Sequence, residues 1–392
     1  MYKGFVVANR ETEDVVTLEV NELINATSIK ENPTAVVFQF EDLMDLCTIT
    51  YKAQSIFRTV LLLSEFKVDK ELDKTTTNIS RKIKELDLGD WLSKNKTFKV
   101  NTKRLGEHNF NSVDISSEIG KKIINKTEIE KKYRLKIDYD NPDILFYTYI
   151  HKERGYFGID FAGIELAKRQ YKIFNHPESL KGTTGYVVVR KSGFKREDFL
   201  LDPFMGSGVL VIEAGLYATK FPVQYYNKDK LYFTKYDFFK KYGSEKFFKE
   251  QDSKIKKDET NIYGYDYLLR YLNATKKNAR LAGIDKQINL SKIKQEWLDY
   301  KFGKKAVDFI VSDPPRMANH KSEKKMAKIY NELFYQAKYI LKKEGSICLL
   351  TKDYELLENE GKKYGFNMTD NQKIYQGQEK FNLIRFKMKG GK

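Results

Sequence analysis

The sequence predicts an α/β protein with two parts, an amino-terminal α+β platform followed by a domain built on a parallel sheet. In residues 186–392, short apolar runs end in an acid or in Asp-Pro and are followed by stretches with helical spacing. This alternation is typical of the strand–turn–helix units of a parallel sheet. Residues 1–165 instead combine alternating strand patterns with separate helical stretches. A chain of 392 residues is long enough for two or three domains.

The composition favours a polyanionic partner. Lys and Arg number 71 against 54 Asp and Glu, so the formal net charge is +17, and 26 Tyr and 26 Phe are interleaved with these charges. Such a balance is typical of nucleic-acid-binding proteins, although a lysine-rich surface also arises from biased genome composition.

The cysteines and the hydropathy pattern restrict the class of protein. Cys47 and Cys348 form no Cys-x-x-Cys pair, so the sequence predicts neither a disulfide framework nor a structural zinc site. The chain opens without a charged-then-apolar leader, and no apolar run approaches the roughly 18 residues of a membrane span. We therefore expect a cytoplasmic protein without metal or membrane contact.

Residues 1–65 alternate strand and helix patterns. Their spacing predicts strands at 4–8, 35–40 and 57–63 and helices at 15–24 and 43–53. No segment here has catalytic spacing, so we interpret this part as a small accessory domain.

Residues 66–165 form a second block. A strand pattern starts at Phe98 and ends in Lys103 and Arg104, and His108 lies in the following loop. A helical stretch and short extended segments come next, and this order resembles the THUMP domain of RNA-modifying enzymes. In those enzymes an amino-terminal ferredoxin-like unit and the THUMP domain together hold the end of tRNA. The three basic residues could clamp phosphates without reading bases, although charged strand ends are commonly only solvated.

A joining segment covers residues 166–185. In the enzymes that the preceding block resembles, such a segment crosses between domains, which implies that Lys168 and Arg169 lie near the RNA path. An ordinary basic linker is the alternative interpretation.

Residues 199–215 predict a buried strand, a glycine turn and the start of a helix. Such a turn directs backbone N–H groups and the positive helix end toward a ligand. Val209 follows Gly208 where a P-loop needs Lys, and Val211 stands where a dinucleotide fingerprint has its third Gly or Ala. The Asp-Pro-x-x-Gly-Ser-Gly form resembles instead the cofactor loop of class I methyltransferases that use S-adenosylmethionine.

Two further acids follow this turn. A segment at 218–260 is rich in Tyr, Phe and Lys and is interpreted as a peripheral, partly ordered insertion. After it, a second strand ends in Asp266, which could accept both ribose hydroxyls at the carboxyl edge of the sheet. A third strand, 288–293, leads to Glu296, where methyltransferases of this type often place an Asp that holds the adenine amino group.

The strongest chemical signal is the Asp-Pro-Pro sequence Asp313 to Pro315, which ends a fourth buried strand. It resembles the signature of enzymes that methylate exocyclic amino groups of bases. The Asp313 carboxylate and the Pro314 carbonyl can accept the two N–H groups of such an amine, which directs its lone pair at the sulfonium methyl. The prolines fix the turn and leave only acceptors facing the amine.

Arg316 departs from the family, which commonly has Tyr or Phe at this position to stack on the extruded base. Asp-Pro-Pro-Arg also occurs in enzymes that methylate carbon 5 of uridine, but those need a cysteine nucleophile beyond the next strand. Cys348 lies in the middle of that strand, so we interpret it as buried packing.

Together these resemblances identify a THUMP-linked methyltransferase with a seven-stranded Rossmann-like domain after a ferredoxin-like/THUMP platform. They imply S-adenosylmethionine as cofactor, tRNA as partner, and methylation of guanosine N2 in the acceptor stem. We also expect a monomer. An rRNA guanosine N2-methyltransferase and a non-catalytic RNA-binding protein are the alternatives. The implied catalytic residues are Asp313, Pro314, Pro315 and Arg316, and the implied cofactor-binding residues are Asp202, Phe204, Gly206, Ser207, Gly208, Asp266, Tyr267, Glu296 and Asp313.

Overall fold

The computed structural model describes residues 1–89, 91–174, 179–316, 323–352 and 354–390. The chain divides into two compact units. The first contains residues 1–8, 16–166 and 227–251, and the second contains residues 9–15, 167–226 and 252–392. Residues 9–15 therefore group with the second unit and residues 227–251 with the first, a partition that follows from packing between segments distant in the sequence.

The first unit is built on one eight-stranded sheet with the strand order β2-β3-β1-β4-β8-β7-β5-β6. Its elements up to the joining segment are β1 (Tyr2–Ala8), α1 (Glu13–Leu23), β2 (Thr27–Asn32), β3 (Ala35–Phe40), α2 (Leu43–Lys52), β4 (Ile56–Lys67), α3 (Leu72–Glu85), β5 (Thr97–Leu105), α4 (Ser112–Lys131), β6 (Lys136–Ile137), β7 (Ile144–His151) and β8 (Arg154–Asp160). Strands β4 and β8 pair antiparallel, with Val60 opposite Asp160. The segments predicted as a ferredoxin-like and a THUMP domain thus share a single sheet.

Aromatic side chains attach the insertion to the first unit. Residues 225–230 and 232–235 form 3-10 turns, and the short helices α7 (Asp237–Tyr242) and α8 (Ser244–Asp252) follow. Phe233, Tyr236 and Phe239 are buried, and the Tyr236 hydroxyl donates a hydrogen bond to the Asp160 carbonyl at 2.5 Å. The expectation of a peripheral, partly ordered excursion is therefore wrong for these residues, because their rings form a core.

The second unit is built on a seven-stranded sheet with the order β11-β10-β9-β12-β13-β15-β14. Its elements are α5 (Gly182–Ser192), β9 (Leu200–Asp202), α6 (Val209–Thr219), β10 (Ile262–Asp266), α9 (Leu269–Ala282), β11 (Asn289–Lys292), α10 (Leu298–Lys301), β12 (Val307–Ser312), α11 (Glu323–Ile340), β13 (Leu341–Thr351), α12 (Glu355–Lys363), β14 (Phe366–Gln376) and β15 (Glu379–Met388). Strands β9 to β13 run parallel, and β15 is antiparallel to both neighbours. The predicted Rossmann-like seven-stranded fold is confirmed.

Helices cover both faces of this sheet. The consecutive residues Leu200 and Leu201 of β9 belong to different buried clusters. Leu200 packs with side chains of α5 and α6 such as Val188 and Ile212, and Leu201 packs with Leu333 of α11. Because successive strand residues point to opposite faces, the sheet lies between two helical layers. Residues 182–185, assigned to the joining segment in the sequence, are the first turn of α5.

Candidate active site

Three carboxylates meet at the edge where the parallel strands end. Asp202 is the last residue of β9, Asp266 is the last residue of β10, and Asp313 directly follows β12. Since β9 lies between the other two strands, their carboxyl ends adjoin, which is where ligands bind in open α/β sheets. One cavity of about 310 Å³ contains all three acids and is otherwise lined by Ser179, Leu180, Phe204, Met205, Gly206, Ser207, Val209, Leu210, Tyr267, Leu268, Arg270, Tyr271, Pro314 and Pro315.

The backbone conformation of the turn beside this cavity requires glycine at two positions. Gly206 and Gly208 have φ values of 53° and 84°, in the left-handed region that side chains disfavour. A Cβ atom on Gly208 would lie 2.3 Å from Cγ2 of Thr275, so a side chain at this position requires the turn or Thr275 to shift. The close approach of α9 and the left-handed backbone both favour glycine at position 208.

Two residues of α9 that sequence analysis missed hold the turn in place. The Thr275 hydroxyl donates a hydrogen bond to the Gly206 carbonyl at 2.9 Å, and the Asn278 amide donates to the Ser207 carbonyl at 3.0 Å. With these carbonyls occupied from one side, the turn is a rigid support at the start of α6. In the sequence, these two residues were marked only by their position on α9, the helix that follows Asp266.

Asp266 also stabilises the turn. Its Oδ2 atom accepts a hydrogen bond from the Gly206 N–H at 3.2 Å, and its Oδ1 atom accepts one from the Leu268 N–H at 2.8 Å. The same carboxylate lines the cavity, where a carboxylate is a suitable acceptor for sugar hydroxyls. The structure thus gives this acid a loop-holding role that its spacing did not predict.

Asp202 is the most perturbed acid of the cavity. The pKa of its carboxyl is raised from 3.8 to about 7, mainly by burial; two hydrogen bonds lower the pKa, and the nearby Asp313 and Asp266 contribute to the rise. Those bonds come from the Ser312 hydroxyl at 2.5 Å and the Phe204 N–H at 3.1 Å, both to Oδ1. Three acids in one cavity favour a positively charged ligand, because a cation relieves their mutual repulsion.

Glu296 is not among the described residues that line the cavity. It lies in a 3-10 turn, its side chain is exposed, and its carbonyl accepts a hydrogen bond from the Gln336 amide at 3.1 Å. Its neighbour Gln295 instead donates to the Pro203 carbonyl at 3.3 Å. The adenine contact of Glu296 stays a prediction, and the turn that fixes its backbone leaves its carboxylate exposed.

Arg316 is engaged within the site. Its Nη2 atom donates to Oδ1 of Asp313 at 2.5 Å, and its guanidinium carbon lies 4.8 Å from the centre of the Phe381 ring. The Pro315 carbonyl accepts a hydrogen bond from the Tyr330 hydroxyl at 2.6 Å, which ties the loop after β12 to α11. The residue that departs from the family therefore contacts the carboxylate of the Asp-Pro-Pro sequence directly.

The residues expected to contact RNA differ in accessibility. Lys103 is exposed, with its amine 5.6 Å from the centre of the Phe57 ring, and Lys168 is exposed. Arg104 and His108 form a small network in which the His108 ring contacts Arg104 at 3.0 Å and the Lys152 carbonyl at 2.9 Å. This network holds the loop and leaves both side chains partly exposed.

Arg169 is a correction. Its side chain is only 1% exposed and forms an ion pair with Glu213, so it cannot reach a phosphate at the surface. The sequence predicted that both basic residues of the joining segment, Lys168 and Arg169, lie at the surface. Arg169 is instead the counter-ion of the buried Glu213. Cys348 is buried as expected, and burial raises the pKa of its thiol, which opposes a nucleophilic role.

Comparison with known proteins identifies the family. Residues 169–380 match the model of the RMKL-like methyltransferase domain, and residues 73–160 match the THUMP domain. The chain belongs to the RMKL-like methyltransferase family. It is an S-adenosylmethionine-dependent RNA methyltransferase with an amino-terminal THUMP domain.

Relatives of this RMKL-like methyltransferase differ in how much of each chain the match covers. It is 30% identical to the tRNA (guanine(6)-N2)-methyltransferase of Methanocaldococcus jannaschii over 87% of this chain and 88% of that protein. It is 32% identical to the ribosomal RNA large subunit methyltransferase K/L of Vibrio cholerae, but over only 40% of this chain and 23% of that protein. A crystal structure described as a methyltransferase complexed with SAH shares the fold, with a TM-score of 0.81, 21% identity, and coverage of 100% and 99% of the two chains.

The cavity fits S-adenosylmethionine, the methyl donor of this family. That molecule carries a positive sulfonium and a positive amine, and the cavity supplies three carboxylates and a glycine turn that permits close approach. Among the described residues, no group of His, Cys, Asp and Glu side chains has the arrangement of a metal site, and no helix is long and apolar enough to cross a membrane.

Proposed function

We propose that this methyltransferase modifies the exocyclic N2 amino group of a guanosine in the acceptor stem of tRNA. The observation that carries the proposal is the Asp-Pro-Pro sequence at the cavity, where Asp313, Pro314 and Pro315 line the same space as the glycine turn. Acceptors at this point suit an amino group whose lone pair must be directed at a methyl donor. The match to a tRNA (guanine(6)-N2)-methyltransferase over 87% of this chain supports this choice of base and of RNA.

Asp313 is the catalytic residue in this proposal. The lone pair of an aniline-like nitrogen is delocalised into the ring, so the amine needs acceptors for its N–H groups to become a useful nucleophile. The Asp313 carboxylate accepts one N–H and the Pro314 carbonyl accepts the other. When the nitrogen gains the methyl group and a positive charge, the carboxylate takes the proton that it releases.

The other acids of the cavity bind the methyl donor. S-adenosylmethionine, when bound, supplies a methyl group on a positively charged sulfur. Asp266 contributes acceptors for the ribose hydroxyls, the Gly206 and Gly208 turn lets the molecule approach the backbone, and Tyr267 offers an exposed ring beside the cavity for the adenine. Asp202 lines the same cavity, and a bound cation would favour the ionised form of its carboxyl.

We propose that the first unit binds the tRNA through its phosphates. Lys103, Arg104 and His108 remain the candidates there, and Lys168 is the candidate in the joining segment. Such contacts supply affinity and orientation but no sequence information. A cytoplasmic, monomeric enzyme is the simplest setting for this activity.

The rRNA alternative rests on a narrower likeness. The matches to rRNA large subunit methyltransferases K/L extend over 40%, 60% and 66% of this chain, whereas the match to the tRNA enzyme of Methanocaldococcus jannaschii extends over 87% of it. The wider match to the tRNA enzyme favours tRNA as the substrate.

A transfer assay tests the proposal. The full-length protein is incubated with methyl-labelled S-adenosylmethionine and, separately, with purified tRNA and rRNA, and the RNA is digested to nucleosides. We expect label in N2-methylguanosine from tRNA. Label from rRNA only would support the alternative, label in another nucleoside would contradict the assigned atom, and binding of the methyl donor without transfer would indicate a non-catalytic RNA-binding protein.

A further inference from the structure

The side chain of Arg316 is held at two points inside the site. At one end, Nη2 donates to Oδ1 of Asp313 at 2.5 Å. Across its face, the guanidinium lies 4.8 Å from the centre of the Phe381 ring, and the side chain is only 14% exposed. An arginine on an aromatic face gains both electrostatic attraction and planar packing. Its long side chain is therefore confined to one arrangement.

Phe381 is a rigid support because the sheet fixes it. It is buried in β15, opposite Ile374 of β14. The next residue, Asn382, pairs with Thr351, the last residue of β13. The ring consequently stands at the same edge of the sheet as the three carboxylates, on a strand bonded to neighbours on both sides.

We propose that Phe381 is a positioning residue for methyl transfer: its ring fixes the guanidinium of Arg316, which in turn fixes the carboxylate of Asp313. This inference rests on the proposed function, in which Asp313 accepts an N–H of the target amine. A short carboxylate after a strand end can rotate, and each alternative rotamer removes the acceptor from the amine. An ion pair with an arginine that is itself held removes those rotamers before the RNA binds.

An unpaired donor supports a functional role for this arrangement. The Nε atom of Arg316 is buried and has no hydrogen-bond partner among the described residues. Burying a donor without an acceptor is costly, and a side chain kept only for packing would not be expected to retain it.

The test compares variants of the full-length protein by single-turnover methyl transfer to an unmodified tRNA transcript. Phe381→Leu keeps an apolar side chain and removes the ring face, so the transfer rate should fall about 3- to 30-fold, the range expected for one cation–π contact. The dissociation constants for SAH and for the transcript should change less than twofold. Phe381→Tyr keeps the ring face and should restore most of the rate.

Lys352→Gln is the matched control. The Lys352 amine also lies over the Phe381 ring, at 5.5 Å, and pairs with Glu379 at 3.0 Å. No contact links it to Asp313 in the described part of the chain, so removing its charge should leave the transfer rate within twofold. If Lys352→Gln lowered the transfer rate as much as Phe381→Leu does, the effect would not be specific to the contact between the ring and Arg316. That result would overturn the inference.

A double-mutant cycle decides whether the ring acts through Arg316. In an Arg316→Ala background, Phe381→Leu should cause no further loss of rate, because the group that it positions is already gone. An equal loss in both backgrounds, or an unchanged rate for Phe381→Leu alone, would overturn the inference. A folding defect would appear as parallel losses of SAH affinity and rate, and Phe381→Tyr then decides, since it should be active only if the ring face is what matters.

Failure of the proposed function gives a different result. If Asp313→Ala transfers methyl groups at the normal rate, the assignment of the acceptor is wrong, whatever the Phe381 variants do. If Asp313→Ala is inactive while Phe381→Leu keeps the normal rate, the acceptor assignment stands and only the positioning role of Phe381 is lost.

Discussion

Arg169 and Glu213 form a buried ion pair with two hydrogen bonds, from Nε to Oε1 at 2.7 Å and from Nη2 to Oε2 at 3.0 Å. Their side chains are 1% and 0% exposed, and the Tyr171 hydroxyl donates a third bond to Oε1 at 2.7 Å. Glu213 lies in α6, the helix that starts at the glycine turn. The pair therefore anchors the segment before α5 to the helix whose amino terminus faces the cavity.

Removing one member of this pair should destabilise the protein strongly. Arg169→Met leaves the Glu213 carboxylate buried without its counter-ion, which we expect to lower the free energy of unfolding by about 3–5 kcal/mol. Urea denaturation followed by circular dichroism measures the change. Lys168→Met is the control, since this exposed neighbour should change stability by less than about 0.5 kcal/mol. Similar losses in both variants would contradict the structural role given to Arg169.

The stability of the protein should depend on pH through Asp202. The pKa of this carboxyl is about 7 in the folded protein and 3.8 without the fold, so the folded state keeps a proton that the unfolded chain has lost between these values. The contribution of the Asp202 carboxyl to the free energy of unfolding therefore falls as the pH rises from about 4 to 7. The fall is at most about 1.4 kcal/mol per pH unit.

Asp202→Asn isolates that contribution. The amide cannot ionise, so the free energy of unfolding of this variant should exceed that of the unmodified protein by a growing margin from pH 5 to pH 8. Asp258→Asn, an exposed carboxylate paired with Arg196 at 3.3 Å, should show no such trend. Parallel pH profiles for Asp202→Asn and the unmodified protein would refute the raised pKa.

The glycine turn gives a prediction about binding of the methyl donor. Gly208→Ala forces a side chain into a left-handed backbone and against Thr275, so affinity for SAH should fall at least tenfold in a calorimetric titration. Gly377 has a similar φ of 66° but nothing within 4 Å of an added Cβ. Gly377→Ala should therefore carry the backbone strain alone and keep the affinity. Unchanged SAH affinity for Gly208→Ala would remove the turn from the binding site.

The strands of the second unit were predictable because the sequence marks their ends. Asp202, Asp266 and Asp313 each follow an apolar run and therefore mark the carboxyl end of a strand. Ligands bind at this edge of a parallel sheet, so the sequence alone locates the site. Strand β2 was not predicted, since its polar edge positions, such as Lys30 and Glu31, lack the alternation of a half-buried strand.

Contacts between distant segments were beyond sequence analysis. Arg169 lies 44 residues from Glu213, and nothing local distinguishes it from the exposed Lys168. The bonds from Thr275 and Asn278 to the glycine turn likewise depend on how α9 packs, with about 70 residues between the partners. Local patterns thus predicted the acids of the site but not the residues that hold them.

Arg316 should increase the rate of methyl transfer, and an aromatic side chain at the same position should partly replace it. Arg316→Ala removes both the contact with Asp313 and a planar surface for the extruded base, so we expect a loss of roughly 1–3 kcal/mol in transition-state stabilisation, the range for one stacked base. Arg316→Tyr should recover activity if stacking dominates. Equal losses in both variants would indicate that the charge matters, and full activity in both would exclude Arg316 from the reaction.

The Asp313→Ala variant tests the central claim most directly. Loss of one oriented acceptor should lower the single-turnover rate of methyl transfer to an unmodified tRNA transcript by about 10²-fold or more, by analogy with the loss of one oxyanion-hole donor. Affinity for SAH should stay within about threefold, because the glycine turn and Asp266 are intact. Transfer by Asp313→Ala at the rate of the unmodified protein would contradict the account.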